Sequence, residues 1–245
     1  MSLPKVVSRG EWLTARKELL EQEKELTRRR DALSAERRRL PMVEIEKEYV
    51  FTGPDGEKTL LELFDGRLQL ILTHFMFDPS WENGCPSCTA GTDEMSDGLM
   101  EHVAIRDTSM VWVSRAPIEK LEAYKAKRGW TIPWYSSFGS DFNYDFHVTN
   151  DESRAPLEYN FRSKAEHEAA GTGYYVEGTE NPGTSVFLRI DDKVFHTYSS
   201  FARGAEWSGG SYAFLDLTPL GRQEDWEEPK GRSESVRAAV PDFAS

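Results

Sequence analysis

The sequence predicts an α/β protein of three layers, α/β/α, with a long N-terminal helix and an aromatic-rich insertion. Three observations predict it. Strand-like and helix-like segments alternate between residues 48 and 217, the pattern that builds a sheet covered by helices. Residues 68–77 include Leu68, Leu70, Ile71, Leu72, Phe75, Met76 and Phe77, apolar on both faces, as a central strand must be. Cys85 and Cys88, the two cysteines of the chain, follow that strand where the next helical pattern starts.

The elements follow in order. Residues 8–39 are charged and free of proline, with Gly10 their one glycine. Ser8 reads as an N-cap, and Glu11, three residues on, completes a capping box. Trp12, Leu13, Leu19, Leu20, Leu26, Leu33 and Leu40 recur at helical spacing, and Pro41 ends the run. At 1.5 Å per residue such a helix is roughly 45 Å long. Its apolar stripe is narrow, yet too apolar for water, so the helix is expected to dock. Residues 9–39 hold 10 basic and 7 acidic groups, leaving 20 basic against 35 acidic for the rest. The arm is thus drawn to an acidic body, either its own, draped along it, or that of a second copy in a homodimer.

In the body, residues 48–51 read as a short strand before the turn Gly53-Pro54-Asp55-Gly56. Residues 60–64 read as a helical turn ended by Gly66, and 68–77 as the central strand. A loop over 78–84 delivers the cysteines, and a helix is expected over 86–103. A strand over 109–114 and a helix opened by Pro117 and stopped at Gly129 come next. Strands over 185–190 and 193–198 are joined tightly at Asp191-Asp192, and a helix over 211–217 closes the body. A parallel βαβ half followed by an antiparallel ββα half is the thioredoxin order. The chain therefore divides into a helical arm (1–44), a thioredoxin-like domain (45–220) with an insertion at about 131–182, and a polar tail (221–245). With Pro229 and Pro241, the tail is expected to be flexible or laid on the surface.

Composition narrows the function. A net charge of −12 repels nucleic acid and anionic membranes. No apolar run reaches the ~18 residues of a membrane span, and the first residues lack the apolar core of a signal peptide. A cytoplasmic, reducing setting is expected, where a permanent structural disulfide is unusual. Two cysteines three residues apart cannot staple distant segments, which leaves a redox pair or metal ligands. Zinc needs four ligands, and only His74, inside the central strand, and His102 are at hand. No metal and no cofactor are expected.

The dithiol Cys85-Pro86-Ser87-Cys88 carries the chemistry. A cysteine at a helix N-terminus has its thiolate stabilised by unpaired N–H groups and the helix dipole. Pro86 fits the first helical turn, where its missing N–H is not needed. Cys85 is the nucleophile; Cys88, one turn on, is the resolving thiol. Pro86, Ser87, Thr184, Ser185 and Trp134 are the candidate substrate contacts. Glu82 is expected to raise the Cys85 pKa, and His196 reads as a sheet histidine. Trp130, Trp134, Tyr135, Phe138, Phe142, Tyr144 and Phe146 of the insertion form either a small aromatic core or a substrate lid. The preferred function is a thiol–disulfide oxidoreductase acting on a protein or small-molecule disulfide, with an external electron donor. The alternatives are a non-catalytic binding module and a thiol peroxidase with Cys85 peroxidatic.

Several segments share one family pattern: Glu11-Trp12-Leu13 with Arg16, Leu19-Leu20 and Glu23-Lys24-Glu25; the Cys-Pro-Ser-Cys segment; Asp141-Phe142-Asn143 with Asp145-Phe146; Val194-Phe195-His196-Thr197-Tyr198 with Arg203-Gly204; and Leu215-Asp216-Leu217-Thr218-Pro219 with Gly221-Arg222. The chain resembles a bacterial family of thioredoxin-like proteins of largely unassigned function, catalogued as predicted dithiol–disulfide oxidoreductases. The resemblance spans nearly the whole chain, the tail excepted, and implies the fold and a dithiol activity. Two departures from better-understood relatives stand out. Thioredoxins place a proline directly before the strand facing the dithiol, whereas here Thr184 precedes 185–188 and Pro182 lies two residues earlier. Peroxiredoxins carry Pro-x-x-x-Thr-x-x-Cys, whereas Glu82 stands at the threonine position and Pro79 is one residue too close.

Overall fold

The computed structural model describes residues 5–205, 210–216, 218, 220, 221, 223, 227, 228 and 230. Helix α1 (Arg9–Arg37) opens the chain with the expected capping box: the Ser8 hydroxyl accepts from the Glu11 N–H, and the Glu11 carboxylate accepts from the Ser8 N–H. There follow β1 (Val43–Glu44), β2 (Val50–Gly53), β3 (Gly56–Thr59), a 3-10 turn (Glu62–Phe64), β4 (Gln69–His74), α2 (Pro86–Asp93), α3 (Asp97–Ala104), β5 (Thr108–Ser114) and α4 (Ile118–Arg128). The later half holds β6 (Trp134–Ser136), α5 (Phe142–Asp145), β7 (Glu158–Tyr159), β8 (Arg162–Ser163), α6 (Lys164–Ala169), α7 (Tyr174–Glu177), β9 (Gly183–Ile190), β10 (Lys193–Phe201), a 3-10 turn (Ala202–Ala205) and α8 (Gly210–Leu215).

Among the described residues one sheet has the order β1-β10-β9-β4-β5-β6-β2-β3. Strand β4 runs parallel to β5 and antiparallel to β9, and β9 pairs antiparallel with β10. The central order β5-β4-β9-β10, with α2 and α3 between β4 and β5, is the thioredoxin fold. Both faces of the central strands are buried, as their unbroken apolar run requires. Leu70, Leu72, Val111 and Val113 point to one side; Ile71, Met110 and Trp112 point to the other. The second side packs on Val103 of α3, Leu121 of α4 and Phe214 of α8. The first is closed by Phe51, Phe64, Phe142 and Phe146, so short turns and aromatic rings make that layer.

Four local expectations need correction. The helix over 86–103 is two helices: Ser96 accepts from the Leu99 N–H and caps α3, ending the run after α2. A serine side chain that satisfies a new helix start competes with helix continuation. The insertion begins later than 131, because β6 lies parallel beside β5 as a strand of the main sheet. Helix α1 does not drape over the body. Its buried residues are Ser34 and Ala35, while Trp12, Leu26 and Leu33 are 50%, 60% and 60% exposed. It is anchored at its C-terminal end, where the Arg37 guanidinium donates to the Asp216 carbonyl (2.8 Å) and Arg38 bonds the Glu228 carbonyl (2.5 Å) and Glu227 carboxylate (3.3 Å). The tail is not simply surface-laid either: Gln223 and Glu227 are buried, and the Gln223 amide donates to the Arg106 carbonyl (2.7 Å). Of the tail, residues 221, 223, 227, 228 and 230 are described, and its other residues lie outside the described ones. Among the described residues, no helix is long and apolar enough to cross a membrane.

The exposure of α1 gives a direct expectation. Side chains that touch little contribute within about ±0.5 kcal/mol each, so deleting residues 1–32 should leave the melting temperature of the body within ~2 °C. Calorimetry checks it; a fall of ~5 °C or more would mean that the arm packs on a body.

Candidate active site

The cysteines are presented by a loop that is fixed at several points. After β4 the chain continues through Phe75, Met76 and Phe77 into 78–84. The Asp78 carboxylate accepts from the Ser80 N–H (2.8 Å) and hydroxyl (2.6 Å), closing a small turn. From α4, the Lys120 ammonium donates to the Pro79 carbonyl (2.8 Å) and to the Trp81 carbonyl. At Gly84 a Cβ would stand 2.6 Å from the Phe75 ring, so the chain passes there because glycine has none. The Cys85 N–H then donates to the Met76 carbonyl (3.0 Å), tying the loop back to the strand. Cys85 is the N-cap of α2 and Pro86 its first residue, as the sequence predicts.

This placement makes the two sulfurs unequal. Cys85 is partly exposed and Cys88 lies deeper. A hydrogen bond from the Cys88 thiol is the largest influence on Cys85. Partial burial opposes it, and the backbone N–H groups of Cys88 and Ser87 and the Ser87 hydroxyl add to it, holding the Cys85 pKa at about 6. The same bond, together with burial, pushes Cys88 far up and keeps it a thiol. The shared hydrogen bond thus moves the two thiols in opposite directions, Cys85 down and Cys88 up. Glu82 is exposed and is not among the groups that set Cys85, which are Cys88 and Ser87 of α2 and partial burial, so the expected upward push from Glu82 is not found.

Both sulfurs open on a cleft of about 750 Å³. Of the candidate contacts, Ser87 and Thr184 line it. Pro86 is exposed and serves the helix start. Two others are corrected. Ser185 is wholly buried, its hydroxyl 2.8 Å from the His74 ring and 2.8 Å from the Ser199 hydroxyl. Alternate residues of a strand face opposite sides, so Thr184 meets the dithiol and Ser185 the far layer. Trp134 is a core residue, 1% exposed, its indole donating to the Ser114 hydroxyl (3.0 Å) and its ring 4.7 Å from that of Phe75. The proline departure is also resolved: β9 begins at Gly183, so Pro182 directly precedes the strand and lines the cleft. The aromatic insertion divides accordingly. Trp130 and Trp134 join the core beneath the cleft, and Phe142 and Phe146 join the opposite one.

His74 and His196 make their hydrogen bonds within the sheet. Burial, aided by nearby His196, pushes His74 down to about 3, so its ring is neutral and serves the Ser185–Ser199 chain. His196 is also shifted down by burial and bonds Ser199 (2.8 Å) within the sheet. Among the described residues, no group of three or more His, Cys, Asp or Glu is disposed to hold a metal.

A charged cluster at the cleft was not foreseen. Arg115, just past β5, is ion-paired to Asp78 and donates to Glu180 (2.7 Å); Thr149 donates to the other Glu180 oxygen (2.9 Å). Burial pushes Glu180 up to about 7 although Arg115 and Thr149 pull the other way. Burial also acts to raise Asp78, but the Ser80 donors and Arg115 outweigh it and hold it below the usual range. Glu180 lines the same cleft as the cysteines. These partners lie 37 and 65 residues from Arg115 along the chain, and no local motif joins them.

Comparison with known proteins supplies the context. No curated protein matches the chain. The chain is similar to a solved peroxidoxin BcpB from Mycobacterium tuberculosis, at 17% identity and a TM-score of 0.47, over 73% of this chain and 96% of that one. It is also similar to a PrxQ variant of Xylella fastidiosa, at 15% identity and a TM-score of 0.40, over 68% of this chain and 89% of that one. A bacterioferritin comigratory protein of Xanthomonas campestris is similar at 11% identity and a TM-score of 0.37, over 64% of this chain and 82% of that one. The family model that matches covers residues 1–239, and the chain belongs to that family, the bacterial proteins of unknown function designated DUF899.

Proposed function

We propose that this protein is a thiol–disulfide oxidoreductase in which Cys85 attacks and Cys88 resolves. The observation that carries the reading is the inequality of the two sulfurs, one lowered to about 6 and partly exposed, the other raised and deeper. The Cys85 thiolate attacks one sulfur of a substrate disulfide. A Cys85–substrate bond forms, the substrate S–S bond breaks, and one substrate thiolate leaves. The Cys88 thiol gives up its proton and attacks the Cys85 sulfur. The second substrate thiolate leaves, and the Cys85–Cys88 disulfide remains. Two electrons have passed from the dithiol to the substrate, and an external dithiol reductant restores the starting state. Pro182 and Thr184 line the same cleft as the two sulfurs.

The pH profile of alkylation tests the reading. A lowered pKa means that thiolate is present above it and lost below it. The iodoacetamide rate at Cys85 should therefore rise through pH ~6 and level off by pH ~7, where a free thiol is still rising toward ~8.5. Cys88 should stay unlabelled. A Cys85 profile rising near pH 8.5, or equal slow labelling of both cysteines, would contradict it.

A further inference from the structure

The cleft beside the dithiol indicates what kind of disulfide is taken. Its walls are largely apolar: Phe75, Met76, Met95, Leu99, Trp112 and Phe214 are among the residues that line it. Tyr174 and Tyr175 of α7 and the turn residues Ala202 and Ala205 line it too. A space of about 750 Å³ is within the ~300–1,000 Å³ range of small-molecule sites, whereas a protein disulfide presented on an outer surface would leave it unfilled. Its charged lining is acidic. Among the described residues that line it, Glu94 and Glu180 carry charge and none is Lys or Arg. The Arg115 guanidinium beside Glu180 is already engaged by Asp78 and Glu180. A carboxylate brought into this apolar space would lose water and meet Glu94 and Glu180, a large cost.

We propose that the cleft binds a small disulfide with an apolar, uncharged body, and that it discriminates against anionic disulfides. This rests on the dithiol reading above. The Cys85 thiolate then meets a substrate sulfur held at the mouth while the apolar body fills the cleft over Met95 and Leu99. The two electrons come from the dithiol; the substrate halves leave as thiolates, and the Cys88 proton passes to one of them or to water.

The test uses two aryl disulfides of equal size, bis(4-carbamoylphenyl) disulfide and bis(4-carboxyphenyl) disulfide, reacted in single turnover with the reduced full-length protein. Each rate is divided by that of N-acetylcysteinamide thiolate with the same disulfide, which removes intrinsic reactivity. The neutral probe should be favoured by 10-fold or more after that correction. Met95→Lys, which adds a cation to the wall, should reduce the preference at least threefold. Should that variant fail to fold, the wild-type ratio decides alone. Equal corrected rates, or preference for the carboxylate, with Cys85 still alkylated as a low-pKa thiol, would overturn the cleft assignment and leave the dithiol reading standing. No reaction with either probe and slow alkylation of Cys85 would overturn both.

Discussion

Replacing Cys85 by serine is expected to lower disulfide reduction by at least ~10³-fold, because the thiolate is the attacking group and a serine hydroxyl is not ionised at neutral pH. Cys88→Ser should behave differently. The first exchange still occurs, but nothing resolves it, so a stable mixed disulfide between Cys85 and half of the substrate accumulates, read by intact mass. A second effect follows from the shared hydrogen bond. Cys88 is the largest influence lowering Cys85, so in Cys88→Ser the Cys85 alkylation profile should shift toward higher pH. If Cys85→Ser retains turnover, or if Cys88→Ser turns over as well as wild type, the assigned roles are wrong.

Arg115→Met should be the most destabilising single change near the site. Arg115 is the cation between Asp78 and Glu180, and the Glu180 side chain is 2% exposed. Removing one partner of a buried ion pair leaves an uncompensated charge and costs about 3–5 kcal/mol, a fall in melting temperature of roughly 10 °C for a chain of this size. The cost depends on pH, and the sign follows from Glu180. Its folded pKa of about 7 lies above its ordinary value, so the folded state holds the proton more tightly than the unfolded one. In wild type the contribution of Glu180 therefore falls as pH rises through that interval. Without Arg115 the folded value moves higher still, so the loss extends above pH 7. The penalty should be larger at pH 8 than at pH 6. Equal penalties at both would mean that Glu180 is not the group left exposed to the change.

Much of this fold was legible because its signals are local. The Ser8–Glu11 box, Gly129 at the end of α4 and the Asp191-Asp192 turn each announce themselves within a few residues and stand where expected. The apolar run over 68–77 marks the central strand, which spans Gln69–His74 and ends three residues sooner than expected. Cys85 before Pro86 likewise fixes the start of α2. The misses have physical reasons. Ser185 and Thr184 differ by one residue, and in a strand one residue exchanges the faces. Placing the strand start at 185 rather than 183 also hid that Pro182 abuts it. Strand β6 has three residues, too few for alternation to register. The leucines of α1 recur at helical spacing, but they are spread too thinly among charged residues to make one apolar face, and they stay exposed. Arg115, Asp78 and Glu180 meet only once β4, β5 and the β9 start are aligned, so the fold alone brings them together.

The central claim, that Cys85 and Cys88 cycle between dithiol and disulfide, is tested most directly by redox titration of the full-length protein. The protein is equilibrated in a series of dithiothreitol buffers of graded potential, quenched with acid, and the oxidised fraction is read by intact mass. The account predicts one two-electron transition, with loss of two hydrogens and a single Cys85–Cys88 linkage in the digested product. A pair that stays reduced across the whole series, or oxidises only to disulfides between chains, would contradict it.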